Sequence, residues 1–282
     1  MLTLPRFRRD FILRKICLLV MGGLLAGFAK GDAVQSQSNT TVTSADKNNI
    51  SDAIEKARQD NPESIYYVEQ IAHARAVQAV PMLEEKFVRT KDPLDKAKVA
   101  QVLIKLGDKN DIYWNFLVEL ATPALESDAP DFMSFDAQGK SSPGPSPAFI
   151  AWAKAHNVPP NGPEGTAAED AMYWLPGRVA LLGSTGDPRA VPLLRRALLS
   201  PNHMIEVVAA EGLAELQDRE SIPLIIGACQ RAPAEMASVI AESLVYFDSP
   251  EAQRAVDTYV PKETAMALRQ STAQGKKTPW SY

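Results

Sequence analysis

Side chains able to do acid, base or metal chemistry are few in this chain, and they are scattered. Its three histidines, His73, His156 and His203, form no His-Glu-x-x-His metal pattern and stand beside no candidate nucleophile. A base and several acids come near one another in sequence once, at His156 with Glu164, Glu169 and Asp170, a stretch that reads as a solvated polar loop. The two cysteines, Cys17 and Cys229, make no Cys-x-x-Cys pair. Cys229 lies beside Ala228 and near Ile225 and Ile226, the surroundings of a buried small hydrophobe and not of a reactive thiol. Catalytic, metal and cofactor-binding residues are therefore expected to be none.

The elements that would have to position any site are far more legible. Asp187-Pro188-Arg189-Ala190-Val191-Pro192-Leu193-Leu194 returns 31 positions later as Asp218-Arg219-Glu220-Ser221-Ile222-Pro223-Leu224-Ile225. Behind the first copy, Ile205, Val208, Ala209, Gly212, Leu213 and Leu216 form one stripe of a helix of 3.6 residues per turn. The same shift carries them onto Met236, Val239, Ile240, Ser243, Leu244 and Phe247, of which only Ser243 is polar. An earlier copy has Val99, Val102, Leu103 and Leu106, followed by Asp108. Asp108, Asp187 and Asp218 each follow a helix end, where a short carboxylate can accept from the free N–H groups opening the next helix. They are expected to be caps, and Pro192 and Pro223, about a turn further on, are expected to bend their helices.

At these residues the chain resembles the HEAT-repeat family, specifically the short HEAT-like repeats named after phycobilisome lyases. Gly186-Asp187-Pro188-Arg189-Ala190-Val191-Pro192-Leu193-Leu194 carries the resemblance, with partial matches at Ala79-Val80-Pro81-Met82-Leu83 and Gly107-Asp108. The resemblance covers roughly residues 75 to 262 and implies an all-α fold, an α-solenoid of about five HEAT-like helix pairs, which binds proteins more often than it catalyses. Gln253 and Arg254 replace the expected Val-Pro of the last unit, which marks it as a cap. The alternative implied by the family name is a lyase-like enzyme, or an enzyme accessory subunit, that cradles a substrate protein.

Residues 1–29 combine a basic start (Arg6, Arg8, Arg9, Arg14, Lys15), an apolar run from Ile16 to Phe28 and a small-residue end at Ala29, the order of an export signal. Arg8-Arg9-Asp10-Phe11-Ile12 is similar to the twin-arginine motif, so both export routes stay open. A periplasmic or secreted chain without a stable membrane span after cleavage is expected. Cleavage would remove five of the 30 basic and one of the 34 acidic residues, taking the net charge from −4 to −8. An acidic chain without a basic, aromatic stripe is not expected to bind nucleic acid. The expected partner is a protein or peptide.

The remaining boundaries follow from composition. Residues 30–50 are rich in Ser, Thr, Asn and Gln and read as a disordered linker, 51–74 as capping helices, 75–273 as the repeat domain and 274–282 as a flexible tail. The second helix pair, Asn110 to Leu182, is interrupted at 123–165 by eight of the 21 prolines and four of the 15 glycines. This insertion reads either as a passive loop or as a shaped binding surface. Phe149, Ile150, Trp152 and Ala153, which would make a short amphipathic helix, favour the second. Phe149 and Trp152, with the paired aromatics Tyr113-Trp114 and Tyr173-Trp174, are the candidate partner-binding residues.

Overall fold

The computed structural model describes residues 44–61, 63–136, 138–157, 174–276 and 278–280. The chain divides into two units, Met1–Lys47 and Asn48–Tyr282. Of the first unit only residues 44–47 are described, as the opening of α1 (Ser44–Arg58). That helix begins inside the segment expected to be a linker. Ile50, Ala53, Ile54 and Ala57 recur at helical spacing and pack on the core of the second unit, so apolar burial extends order further back than the polar composition predicts.

With α1, α2 (Ser64–His73) completes a first helix pair, and five more follow. They are α3 (Val80–Arg89) with α4 (Pro93–Lys105), and α5 (Asp111–Leu125), which is followed by β1 (Met133–Phe135), β2 (Ser141–Pro145) and α6 (Pro147–Ala155) before its partner α7 (Leu175–Gly183). Next come α8 (Val191–Ala197) with α9 (His203–Glu215), α10 (Ile222–Arg231) with α11 (Ala234–Glu242), and α12 (Pro250–Tyr259) with α13 (Lys262–Ala273). Second members pack on second members, α2 on α4, α4 on α7, α7 on α9 and α9 on α11, so the pairs stack in two rows around one continuous core. This is an all-α solenoid of helix pairs. The periodic residues Ile205, Ala209, Leu213, Met236, Ile240 and Leu244 are all buried in it.

The repeat turn has a reproducible backbone cause. At the ends of α2, α4 and α9, Arg75, Gly107 and Gln217 adopt positive φ (49°, 95° and 54°). The N–H of the next residue then reaches back to the carbonyl of Ile71, Leu103 or Leu213, satisfying a carbonyl that the helix leaves open. Before α3, α8 and α10 the chain takes one 3-10 turn, at Val77–Ala79, Pro188–Ala190 and Arg219–Ser221. Each α-helix then starts with Pro81, Pro192 or Pro223 in its first turn. The prolines do not bend their helices as expected. They begin them, at positions whose N–H has no helical acceptor anyway, and the change of direction lies in the 3-10 turn.

The three aspartates differ. Asp187 accepts from the N–H of Arg189 at 2.9 Å. Asp108 accepts from the N–H of Asn110 at 2.9 Å, and it is Asn110 that caps α5 through the N–H of Ile112. Asp218 receives no backbone N–H of its turn. Its carboxylate takes the Arg195 guanidinium at 2.9 and 2.8 Å and the Ser221 hydroxyl. The expectation of a cap is thus corrected at Asp108 and Asp218. A charge-assisted fork from the preceding unit is a stronger partner than a backbone amide, and it clamps two units together.

The insertion departs from its expected start, since α5 continues through Pro123 to Leu125. Pro123 lies inside the helix near its C-terminal end, where it lacks the N–H that would donate to the carbonyl of Glu119 and so weakens the last turn. Beyond it, β1 and β2 pair antiparallel with Met133 opposite Pro145 and Phe135 opposite Ser141, a short β-ribbon inside the otherwise helical chain. The stretch of Glu164, Glu169, Asp170 and Tyr173 lies outside the described residues.

Candidate protein-interaction surface

Of the five described aromatic anchors three are core. Tyr113 and Trp114 are 4% and 8% exposed. Tyr113 meets Phe87 edge to face at 4.9 Å, and Trp114 is covered by the Arg189 guanidinium, 4.7 Å from the ring centre. Phe149 is fully buried in a small second core with Ala129, Ala153, Phe132 and Trp152. These three side chains cannot anchor a partner without unpacking. Trp152 is half-buried, donates its indole N–H to Asp128 at 2.7 Å and stacks on His156. Trp174, half-buried, precedes α7. Apolar helical spacing marks a face as buried but does not say against what, which is why the sequence pattern pointed to anchors.

The insertion is not a free loop. Asp131 accepts from the backbone N–H of His203 at 2.8 Å and bonds its imidazole as well, so it caps α9 from outside. Gly139, in the β1–β2 turn with φ 77°, lies so close to the start of α11 that a Cβ there would stand 2.5 Å from the Ala234 nitrogen. The carbonyl of Gly139 accepts from the N–H of Glu235 at 3.3 Å. Behind His203, the buried Glu206 carboxylate receives Arg231 at 2.8 Å. Burial opposes the charged form of His203, but the Asp131 and Glu206 carboxylates outweigh it and hold His203 above its ordinary pKa. The insertion therefore ties α5 to the openings of α9 and α11.

A second surface lies on the other row of helix ends, and nothing in the periodicity announced it. Gly183 and Gly212 bring α7 and α9 so close that a Cβ on Gly183 would fall 2.6 Å from the Gly212 Cα. The same Cβ would stand 3.0 and 3.1 Å from the ring of Trp280. Gly183 thus makes a floor on which the indole rests, and Gly212 lets the two helices approach beneath it. The Trp280 N–H of the backbone donates to Glu215 at 3.2 Å, and its side chain hydrogen-bonds Glu211. Within the segment expected to be a flexible tail, Trp280 thus packs on the stack, where an aromatic ring with two carboxyl acceptors within reach offsets the entropy of placing a short segment.

Charge on this surface is concentrated and poorly solvated. Burial, then the nearby Glu242 carboxylate, pushes Glu211 up to about 8, with Lys276 and Trp280 acting in the opposite sense. Glu242 is pushed up to about 7 by burial. Burial and the Glu211, Glu242 and Glu215 carboxylates raise the Tyr246 phenol to about 12. The surface offers hydrogen-bond acceptors, negative charge that an incoming cation would stabilise, and a slot sized for a flat ring. It holds no arrangement of nucleophile, base and orienting acid. Cys229 is buried and pushed up to about 12 by that burial, so its thiol is inert. Among the described residues no three His, Cys, Asp or Glu side chains are grouped to hold a metal ion, and no helix is long and apolar enough to cross a membrane.

No curated protein matches the chain. Residues 179–200, which hold the end of α7, the Asp187 turn and α8, match the PBS lyase HEAT-like repeat, and the stacked helix pairs on either side make the architecture that of a HEAT-like solenoid, consistent with a HEAT-repeat family.

Proposed function

We propose that this chain is a non-catalytic protein-interaction scaffold of the bacterial envelope that binds a protein segment on the Gly183–Gly212 surface. One observation carries the reading: that surface is built to hold a peptide, with a floor too tight for any side chain of its own and carboxylates that receive both a backbone N–H and an indole. Envelope location rests on the basic, apolar, small-residue order of residues 1–29. The reading of a lyase-like enzyme or accessory subunit draws on the name of the matched repeat alone. The test is a photo-crosslinking residue placed in the full chain at Gln217, exposed beside Tyr246, or at Val88, exposed on α3. A discrete adduct in the envelope fraction from Gln217 and none from Val88 is expected. The same adducts from both positions, or none from either, would sink the reading.

A further inference from the structure

The groove on α7, α9 and the end of α11 is already filled by this chain itself, and the way it is filled describes the ligand. α13 ends at a left-handed Gly275 (φ 108°), where the N–H of Lys276 returns to the carbonyl of Ser271 at 3.1 Å. This turn reverses the backbone out of α13 and sends Lys276, Thr278, Pro279 and Trp280 back along the stack, past its own unit, to helices 65 residues upstream. There the Trp280 backbone N–H meets Glu215, the indole meets Glu211 while lying on Gly183, and Lys276 comes near enough to Glu211 to favour its ionised form. Each group of the segment has a complementary group on the helices: cation to carboxylate, N–H to carboxylate, flat ring to glycine floor. In an acidic chain, the Lys276 cation suits the carboxyl-rich surface that receives it.

We propose that the segment carrying Lys276 and Trp280 is a cis occupant of a peptide-binding groove, and that the partner which takes its place presents the same chemistry, a tryptophan following closely on a lysine. This rests on the scaffold reading above and names its ligand. A segment tethered by a turn competes at an effective concentration of order millimolar, so a free peptide of equal affinity is held off while the tether is docked. Trp280 is only half-buried, which leaves an edge from which an incoming ring can displace it. Binding of the partner and release of the segment are then one equilibrium.

The probe is a fluorescein-labelled synthetic peptide with the sequence of residues 274–282, followed by anisotropy against the full chain and its variants. Trp280→Ala should bind it at least about ten-fold more tightly than the wild type, because the cis competitor has lost its anchor. Adding Glu215→Lys to Trp280→Ala should abolish that gain, and so should a peptide with its tryptophan replaced by alanine. Equal affinity of wild type and Trp280→Ala, or no binding to either, overturns the proposal. Should Trp280→Ala fail to fold, the wild type labelled with fluorotryptophan gives the same answer. Its Trp280 signal, assigned by Trp280→Phe, should move to a solvent-exposed position on adding millimolar unlabelled peptide, and an unmoved signal overturns the proposal. A full chain that is dimeric in solution, and becomes monomeric on adding the peptide, would show the segment bound to a second copy and would overturn cis occupancy. Crosslinks from Gln217 together with failure of the peptide arms would reject this ligand while leaving the scaffold reading standing.

Discussion

Glu211 shows how a single side chain on a helix surface acquires an unusual environment. It lies one turn before Glu215 on α9, faces Glu242 at the end of α11, and is roofed by Trp280. Water that would solvate its charge is partly excluded, and the neighbouring carboxylate opposes ionisation, so both effects favour the protonated form. With folded values of about 8 for Glu211 and about 7 for Glu242, each lies above the ordinary glutamate value of 4.5. Stability from these groups is therefore fully present below about pH 4.5 and is lost as pH rises through 7 to 8. Glu215, Tyr246 and Lys276 share the surface. The expected outcome is a melting temperature that falls from pH 5 to pH 9, with a shallower fall in Glu211→Gln, which has no charge to gain. A melting temperature flat across this range, or an unchanged slope in Glu211→Gln, would contradict the buried-carboxylate account. Nothing in the sequence singled Glu211 out. It is an ordinary acid beside an apolar stripe, and the residue that changes its environment comes 69 positions later.

Helices and turns were legible where they are local and repeated. The stripe of α9 could be read because burial on one face imposes a spacing of three and four on consecutive residues. The turn could be read because proline, aspartate and a positive-φ position have local backbone causes, although the role of each residue in it was read less well than its place. The insertion had no such period, and its contacts are long-range: Asp131 meets His203 across 72 residues. Sequence therefore leaves the insertion open between a passive loop and a binding surface, whereas its contacts make it a strap across helix openings. Removing the Asp131 carboxylate leaves a half-buried imidazole and the first N–H of α9 without their acceptor. Asp131→Ala should cost roughly 1–3 kcal/mol in urea unfolding, the cost of stranding buried donors, whereas Asp128→Ala, whose carboxylate is largely exposed, should cost under about 1 kcal/mol. Equal and small losses in both would return the insertion to a passive loop. For the same reason, replacing residues 123–165 by a short linker is expected to destabilise the stack, since it removes the last turn of α5 as well as the strap.

A stack of helix pairs touching only neighbours has stability that is close to a sum of local terms, and it can open from either end. Two devices in this molecule break that rule. The insertion, leaving α5, reaches past α7 and α8 to His203 on α9 and Glu235 on α11. The segment from Lys276 to Trp280 leaves the last pair and returns to Gly183 on α7 and Glu215 on α9. The Gly139–Glu235 contact and the return of Trp280 skip intervening pairs, and Asp131 adds a bond to the adjoining pair, so no unit among α5, α7, α9, α11 and α13 can open without losing a partner outside its own pair. Unfolding should then be all-or-none for the wild type, with helix loss followed by circular dichroism coincident with tryptophan fluorescence in urea. In the double variant Asp131→Ala with Trp280→Ala both straps are cut while the repeat core is untouched. Fluorescence then reports on Trp114, Trp152 and Trp174, which lie on α5, in the insertion and at the start of α7, while circular dichroism averages over all the pairs. The two curves should separate, and the apparent dependence on denaturant should weaken, because the exposed surface is released in steps. If the curves of the double variant still coincide with an unchanged slope, cooperativity resides in the neighbour contacts of the stack, and the straps serve only to place the insertion and the groove-filling segment.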